Sequence, residues 1–313
     1  MPDTPPHPPA TPPSPEPFFL CGFGKSGTNR VGNLLNLHPE IRCDGEWHFQ
    51  HFFRAWDEFS KYPWQLGSRQ PARAIARAGV ERLIGDCLAT LAEGRPGVRL
   101  VGDRSPRPLR ELVRGSKTIY VLRDGRDVVV SYTFHHLRAG EAHHFPKHLR
   151  ESFTRHQRAF RADPGAMSPQ HPGLLGDEAW VRETARFWAG RVLEDRTRGA
   201  GTDPDAGSDS PAAGSDSPAA LLTIRYERLH ADVAAECRRM YTFLGVDPAR
   251  ATPPDQSRRT APGFGKTDPA SENRKSLYRK GAVGDWKRFA TPEFTRWLQE
   301  EAGEALEQLG YRW

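Results

Sequence analysis

The sequence predicts an α/β fold in which one mostly parallel sheet is covered by helices on both faces. Three observations lead there. Short apolar runs at Phe18–Cys21, Val98–Gly102, Thr118–Leu122 and Leu221–Tyr226 have the length and content of buried strands. Helical periodicities separate them, and strands alternating with helices pair in parallel through crossovers. A glycine-rich turn follows the first run and opens into a helix, as in a strand, loop, helix unit.

Taken in chain order, Met1 to Pro17 is crowded with prolines and has neither a basic start nor an apolar run. It reads as a solvated, disordered tail rather than a signal peptide or anchor. The ordered domain is expected over 18–313. After the glycine-rich turn, Val31, Leu34, Leu35 and His38 share one helical face, and Pro39 is expected to end that helix. Phe49, Phe52, Phe53 and Trp56 recur at helical spacing and are expected in a core. The stretch at about 199–220 is built from Gly, Ser, Asp, Pro and Ala and carries Ala-Gly-Ser-Asp-Ser-Pro-Ala twice, from Ala206 and from Ala213. This composition cannot bury a core, so a disordered insertion within one domain is expected. Two helices close the chain: Val233, Cys237, Met240, Tyr241 and Leu244 share a face before Gly245, and Phe294, Trp297, Leu298 and Leu309 recur before Gly310. Thr291-Pro292 supplies the second with an N-cap and a first-turn proline.

Composition narrows the function. The net charge is +6 and the pI about 9.3, but the cations are scattered, which suits an anionic small molecule better than nucleic acid. The four cysteines, Cys21, Cys43, Cys87 and Cys237, have neither metal-type spacing nor a disulfide framework, so free thiols in the cytoplasm are expected. No run is long enough to span a bilayer.

Three clusters carry chemistry. Gly22-Phe23-Gly24-Lys25-Ser26-Gly27-Thr28-Asn29 can turn its backbone N–H groups toward an anion at a helix N-terminus, with Lys25 supplying full charge and Ser26, Thr28 and Asn29 further hydrogen bonds. A nucleoside-triphosphate loop needs a glycine five residues before Gly24, where this chain has Phe19. In Tyr120 to Ser131, Arg123 at a strand end and Ser131 on the next helix can hold one phosphate from two sides; alternatively Arg123 and Arg126 pair with Asp124 and Asp127 on the surface. Arg279-Lys280-Gly281 sets two cations beside a glycine that a phosphate could approach.

Together the three clusters resemble the family of sulfotransferases that use 3′-phosphoadenosine 5′-phosphosulfate (PAPS), over about Phe18 to Trp313. The resemblance implies a P-loop NTPase-like sheet, a Lys-Ser-Gly-Thr loop on the 5′-phosphosulfate, Arg123 and Ser131 on the 3′-phosphate, and Arg279, Lys280 and Gly281 closing over it. Tyr226, in Ile224-Arg225-Tyr226-Glu227, looks like a tyrosine lining the adenine site, or else a core tyrosine at a strand end. His38 to Glu46 is similar to the tyrosylprotein branch, which makes Glu46 the implied base; otherwise Glu46 pairs with Arg42 or caps the following helix. In Gly102-Asp103-Arg104-Ser105-Pro106, Arg104 stands where the family has a lysine that assists the leaving group, or it pairs with Asp103.

The implied reaction moves a sulfuryl group to a hydroxyl or amine of a sugar, lipid, peptide or small-molecule acceptor, with no metal, no nucleic acid and no membrane span. His135, His136, His143, His144 and His148 fit the lining of an acceptor site better than a metal site. The alternatives are a Mg-dependent P-loop nucleotide kinase and a non-catalytic nucleotide-binding module.

Overall fold

A computed structural model describes residues 14–49, 51, 52, 55, 58, 61, 70–105, 113, 115–165, 167–199, 221–254 and 280–313. Its sheet has five parallel strands: β1 (Glu16–Gly22), β2 (Ile41–Cys43), β3 (Leu100–Ser105), β4 (Lys117–Leu122) and β5 (Leu221–Arg225), in the order β2-β3-β1-β4-β5. Helices alternate with them: α1 (Thr28–Leu35), α2 (Gln70–Ala89), α3 (Gly125–Ala139), α4 (Lys147–Ala162), α5 (Glu178–Gly199), α6 (Tyr226–Ala231), α7 (Val233–Leu244) and α8 (Pro292–Gln308).

The central strand β1 is apolar and buried from Phe18 to Cys21 because both faces of the sheet are covered. On one face α3, α4, α5 and α8 bury Phe134, Phe153, Trp180, Trp188 and Leu298. On the other, α1 and α7 bury Leu34, Leu35, Met240 and Tyr241. The α2 residues Ile84 and Leu88 pack with Phe19 and Val101 in a third cluster. The expected cap at Thr291 forms, its side chain accepting from the Phe294 N–H at 3.1 Å, and Asp232 caps the helix before it, accepting from the Ala235 N–H at 2.9 Å.

Several boundaries differ from the sequence reading. β1 begins at Glu16, whose N–H donates to the Arg99 carbonyl at 2.8 Å, so Glu16 and Pro17 belong to the sheet rather than to a tail. The expected strand at 98–102 is shifted to Leu100–Ser105. Tyr226 opens α6 instead of ending β5. α1 stops at Leu35, short of His38, because Asn36 turns its side chain onto β2, donating to the Cys43 carbonyl at 3.1 Å and accepting from the Cys43 N–H at 2.7 Å. His38 is buried by its own bonds, with Nε2 2.9 Å from the Asp247 carbonyl. Phe49 is buried as expected, whereas Phe52 is 38% exposed; Phe53 and Trp56, like most of 1–17 and the stretch 200–220, lie outside the described residues.

β1 sits at the centre, with β3 on one side and β4 on the other. The chain leaves β1 toward one edge and returns past it to the other, which puts the switch of direction at the C-terminal end of β1, where open α/β sheets bind ligands.

Candidate active site

The C-terminal ends of all five strands contribute a residue that the sequence singled out. The loop after β1 carries Gly24 to Asn29, the segment after β2 carries Glu46, the end of β3 carries Arg104, Arg123 follows β4 and Tyr226 follows β5.

The β1 loop is wound tightly. Lys25 has φ 73°, Ser26 is buried, and the Ser26 N–H donates to the Phe23 carbonyl at 3.0 Å. Gly27 has φ 107°, and a Cβ there would lie 2.5 Å from a ring carbon of Tyr226, so the loop packs against the edge of the tyrosine ring only because the residue is glycine. Thr28 and Asn29 open α1, whose N-cap, Gly27, offers no side-chain acceptor and whose first turn has no acidic residue. The helix therefore presents uncompensated N–H groups and its positive dipole end to whatever occupies the loop. Gly24 is exposed at the tip of this loop.

Arg123 ties the site together. It is 7% exposed and donates to the Lys25 carbonyl at 3.0 Å and the Ala282 carbonyl at 2.9 Å. Its guanidinium lies 4.6 Å from the Tyr226 ring centroid, with Arg30 at 5.6 Å from the same ring. Tyr226 in turn donates its hydroxyl to the Gly281 carbonyl at 2.9 Å. The segment with Gly281 and Ala282 is docked on α3 by Asp127, which accepts from the Gly284 N–H at 2.7 Å and the Trp286 N–H at 3.0 Å. The first, second and third sequence clusters thus meet. Lys280 faces elsewhere, its ammonium held by Asp285 at 3.0 Å, and Arg279 lies outside the described residues.

The pairings considered for Arg123 and Arg126 do exist, but they are buried rather than superficial. Arg123 is 3.8 Å from Asp127, and Arg126 forks onto Asp124 at 2.8 Å. Arg126 is structural: it also donates to the Arg312 carbonyl at 3.0 Å and lies 4.2 Å from the Trp286 ring and 5.0 Å from the Trp313 ring.

On the acceptor side, the Lys25 Nζ is 3.5 Å from His135 Nδ1. Burial, then Arg138 and Arg123, lower the lysine to about 8, with the Glu46 carboxylate opposing them. Burial and the charges of Lys25 and Arg138 lower His135 to about 4, so its ring is neutral at pH 7. His136 is lowered to about 3, chiefly by burial. Ser131 is half-buried one helical turn before His135. The Lys25 to His135 contact escaped the sequence reading because it spans 110 positions; its only trace was the spacing of four between Ser131 and His135.

Among the described residues, Glu46 pairs with neither Arg42 nor a helix end. Arg42 takes Asp44 at 3.0 Å, and Glu46, about half exposed, lies 3.9 Å from His48. Arg104 does not pair with Asp103 either: its Nη1 donates to Asn29 Oδ1 at 2.6 Å and its Nε to the Gly45 carbonyl at 3.2 Å. Among the described residues, Glu141, His143 and His144 form one exposed grouping of metal-ligating type. No helix among them is long and apolar enough to cross a membrane.

Among solved structures, the chain is similar to a sulfotransferase from Alicyclobacillus acidocaldarius (16% identity, 96% of this chain and 97% of that one, TM-score 0.46). It is also similar to a mouse sulfotransferase complexed with PAP (16%, 94% and 86%, TM-score 0.45). A third is a retinol dehydratase in complex with androsterone and the inactive cofactor PAP (17%, 96% and 84%, TM-score 0.40). No curated protein matches the chain. Residues 17–171 match the family model described as the sulfotransferase family, and residues 215–310 match that of the sulfotransferase domain. These segments contain the anion loop, Arg123 and Tyr226, and the chain belongs to the sulfotransferase family.

Proposed function

We propose that this protein transfers the sulfuryl group of PAPS to a hydroxyl or amine of an acceptor that is a small molecule, sugar, lipid or peptide. The observation that carries this reading is the convergence on Arg123: one buried guanidinium joins the anion loop, the aromatic face of Tyr226 and the segment at Gly281. That is a site for a nucleotide bearing more than one phosphate. Lys25, Ser26, Gly27, Thr28 and Asn29 would take the 5′-phosphosulfate, Tyr226 the adenine, and Arg123 with Ser131 the 3′-phosphate, with Gly281 anchoring the Tyr226 hydroxyl.

In the reaction the acceptor oxygen forms a bond to sulfur while the bond from sulfur to the phosphate oxygen breaks. The acceptor proton passes to the Glu46 carboxylate, and the negative charge that develops on the leaving phosphate is met by Lys25 and the α1 N-terminus. At pH 7 a lysine at about 8 is mostly protonated and can stabilise that charge. Arg104 holds Asn29 beside the loop and so orients it.

The kinase reading is disfavoured by Phe19, which occupies the position of the first glycine and is fully buried in β1 between Asp103 and Thr118. We place the protein in the cytoplasm, where its four free cysteines would stay reduced, with the described residues from 16 to 313 forming one domain. The test is a melt with 3′-phosphoadenosine 5′-phosphate (PAP) against adenosine 5′-phosphate, followed by a screen of acceptors with radiolabelled PAPS. PAP is expected to raise Tm more; equal shifts would sink the 3′-phosphate site, and dependence of binding on Mg²⁺ would favour the kinase.

A further inference from the structure

The segment that bears Glu46 has no regular structure of its own, yet its backbone is fixed on both sides of the glutamate. The carbonyl before it, on Gly45, accepts from Arg104 Nε at 3.2 Å. The N–H after it, on Trp47, donates to Asp103 Oδ1 at 3.0 Å. Asp103 and Arg104 are consecutive residues near the C-terminal end of β3, a strand held between β1 and β2. Their side chains leave the strand on opposite faces, so the strand end grips the two peptide groups that flank Glu46.

Asp103 is an unusual residue to find there. It is fully buried, its Oδ2 has no hydrogen-bond partner among the described residues, and its neighbour Arg104 is directed to Asn29 rather than to it. A buried carboxylate with one free oxygen costs stability, and burial raises its pKa to about 6, with the Trp47 N–H, His48 and Arg104 opposing and Glu46 adding to the rise. A packed apolar residue would serve the sheet better, so the carboxylate's use lies in the bond it makes.

We propose that Asp103 is a positioning residue that acts through Glu46: its bond to the Trp47 N–H, with Arg104 on the Gly45 carbonyl, fixes the base where the acceptor proton must be taken. This rests on Glu46 being the base. Catalysis is sensitive to such placement, since a displacement of about 1 Å costs roughly 100-fold.

The test compares Asp103→Ala, which removes the acceptor, with Asp103→Asn, whose amide oxygen can accept the same N–H. Glu46→Gln and the double variant Glu46→Gln with Asp103→Ala complete the set. Turnover is read with radiolabelled PAPS and the best acceptor from the screen, and exchange of the Trp47 amide is read by NMR on PAP-bound protein labelled with ¹⁵N-tryptophan. Asp103→Ala should speed Trp47 exchange at least about 10-fold and lower kcat by roughly 10- to 100-fold with PAP affinity retained. Asp103→Asn should recover most of both, and the double variant should be no slower than Glu46→Gln alone. Unchanged Trp47 exchange in Asp103→Ala overturns the proposal, as does failure of Asp103→Asn to rescue or a double variant slower than Glu46→Gln. Full kcat in Asp103→Ala beside a crippled Glu46→Gln removes the positioning role alone. Near-normal kcat in Glu46→Gln removes the base assignment and the proposal with it.

Discussion

Replacing Gly27 by alanine would place a methyl carbon 2.5 Å from one ring carbon of Tyr226 and 2.6 Å from another, at a backbone φ of 107°. Two penalties add. A side chain in left-handed backbone costs about 1–2 kcal/mol, and forcing a methyl group into a packed contact costs about 1–3 kcal/mol, so Gly27→Ala should lose about 2–5 kcal/mol. Because Tyr226 cannot shift without moving Arg123 or releasing the Gly281 carbonyl, PAP affinity should fall in parallel. Urea unfolding with calorimetric PAP titration measures both. A Tyr226→Ala background separates the terms: with the ring gone, the added cost of Gly27→Ala should shrink to the backbone part, about 1–2 kcal/mol. Stability of Gly27→Ala within about 0.5 kcal/mol of wild type would refute the close packing of loop on ring.

Glu46→Gln should lower kcat by about 10²- to 10⁴-fold without weakening PAP binding, measured by labelled transfer and calorimetry. Lys25 has a folded pKa of about 8 against an ordinary 10.5, so between those values the unfolded chain holds more protons and wild-type stability rises with pH. Lys25→Met should therefore melt above wild type in the absence of nucleotide at pH 7, with the gap closing as pH rises from 8 to 10.5; a gap independent of pH would refute this. Arg126→Ala, which strips Asp124 of its buried partner, should cost about 3–5 kcal/mol in urea unfolding. Deleting 207–219 should leave Tm and PAP affinity near wild type, because that composition cannot bury a core.

The parts of the site that were legible in the sequence are those made by local chemistry. The Gly22 to Asn29 turn announces itself because a strand, glycines and a helix follow in one short stretch, and Arg123 stands out because it ends an apolar run. β2 was not legible: its three residues are too few for a period, and it forms because β3 offers a free edge to Ile41. His38 was misread because the spacing of seven from Val31 fits a helix, while the Asn36 side chain, two residues earlier, had already turned the chain onto Cys43. Arginine partners were the least legible. Nothing local tells Arg126 to lie against Trp286 and Trp313, or Arg104 to choose Asn29 over adjacent Asp103.

Arg123 grips main-chain oxygens, those of Lys25 and Ala282, and so is indifferent to which side chain stands at 282 or beside it. That makes this edge of the site a place where a probe can be attached without cutting a contact. Val283 is 41% exposed, one residue from the gripped carbonyl, and of the native thiols only Cys87 is not buried. A Val283→Cys protein with Cys87 replaced by serine would take a single environment-sensitive dye at the rim. Such a labelled protein would report nucleotide arrival optically, which turns the search for the acceptor's nucleotide partner into a titration in a cuvette.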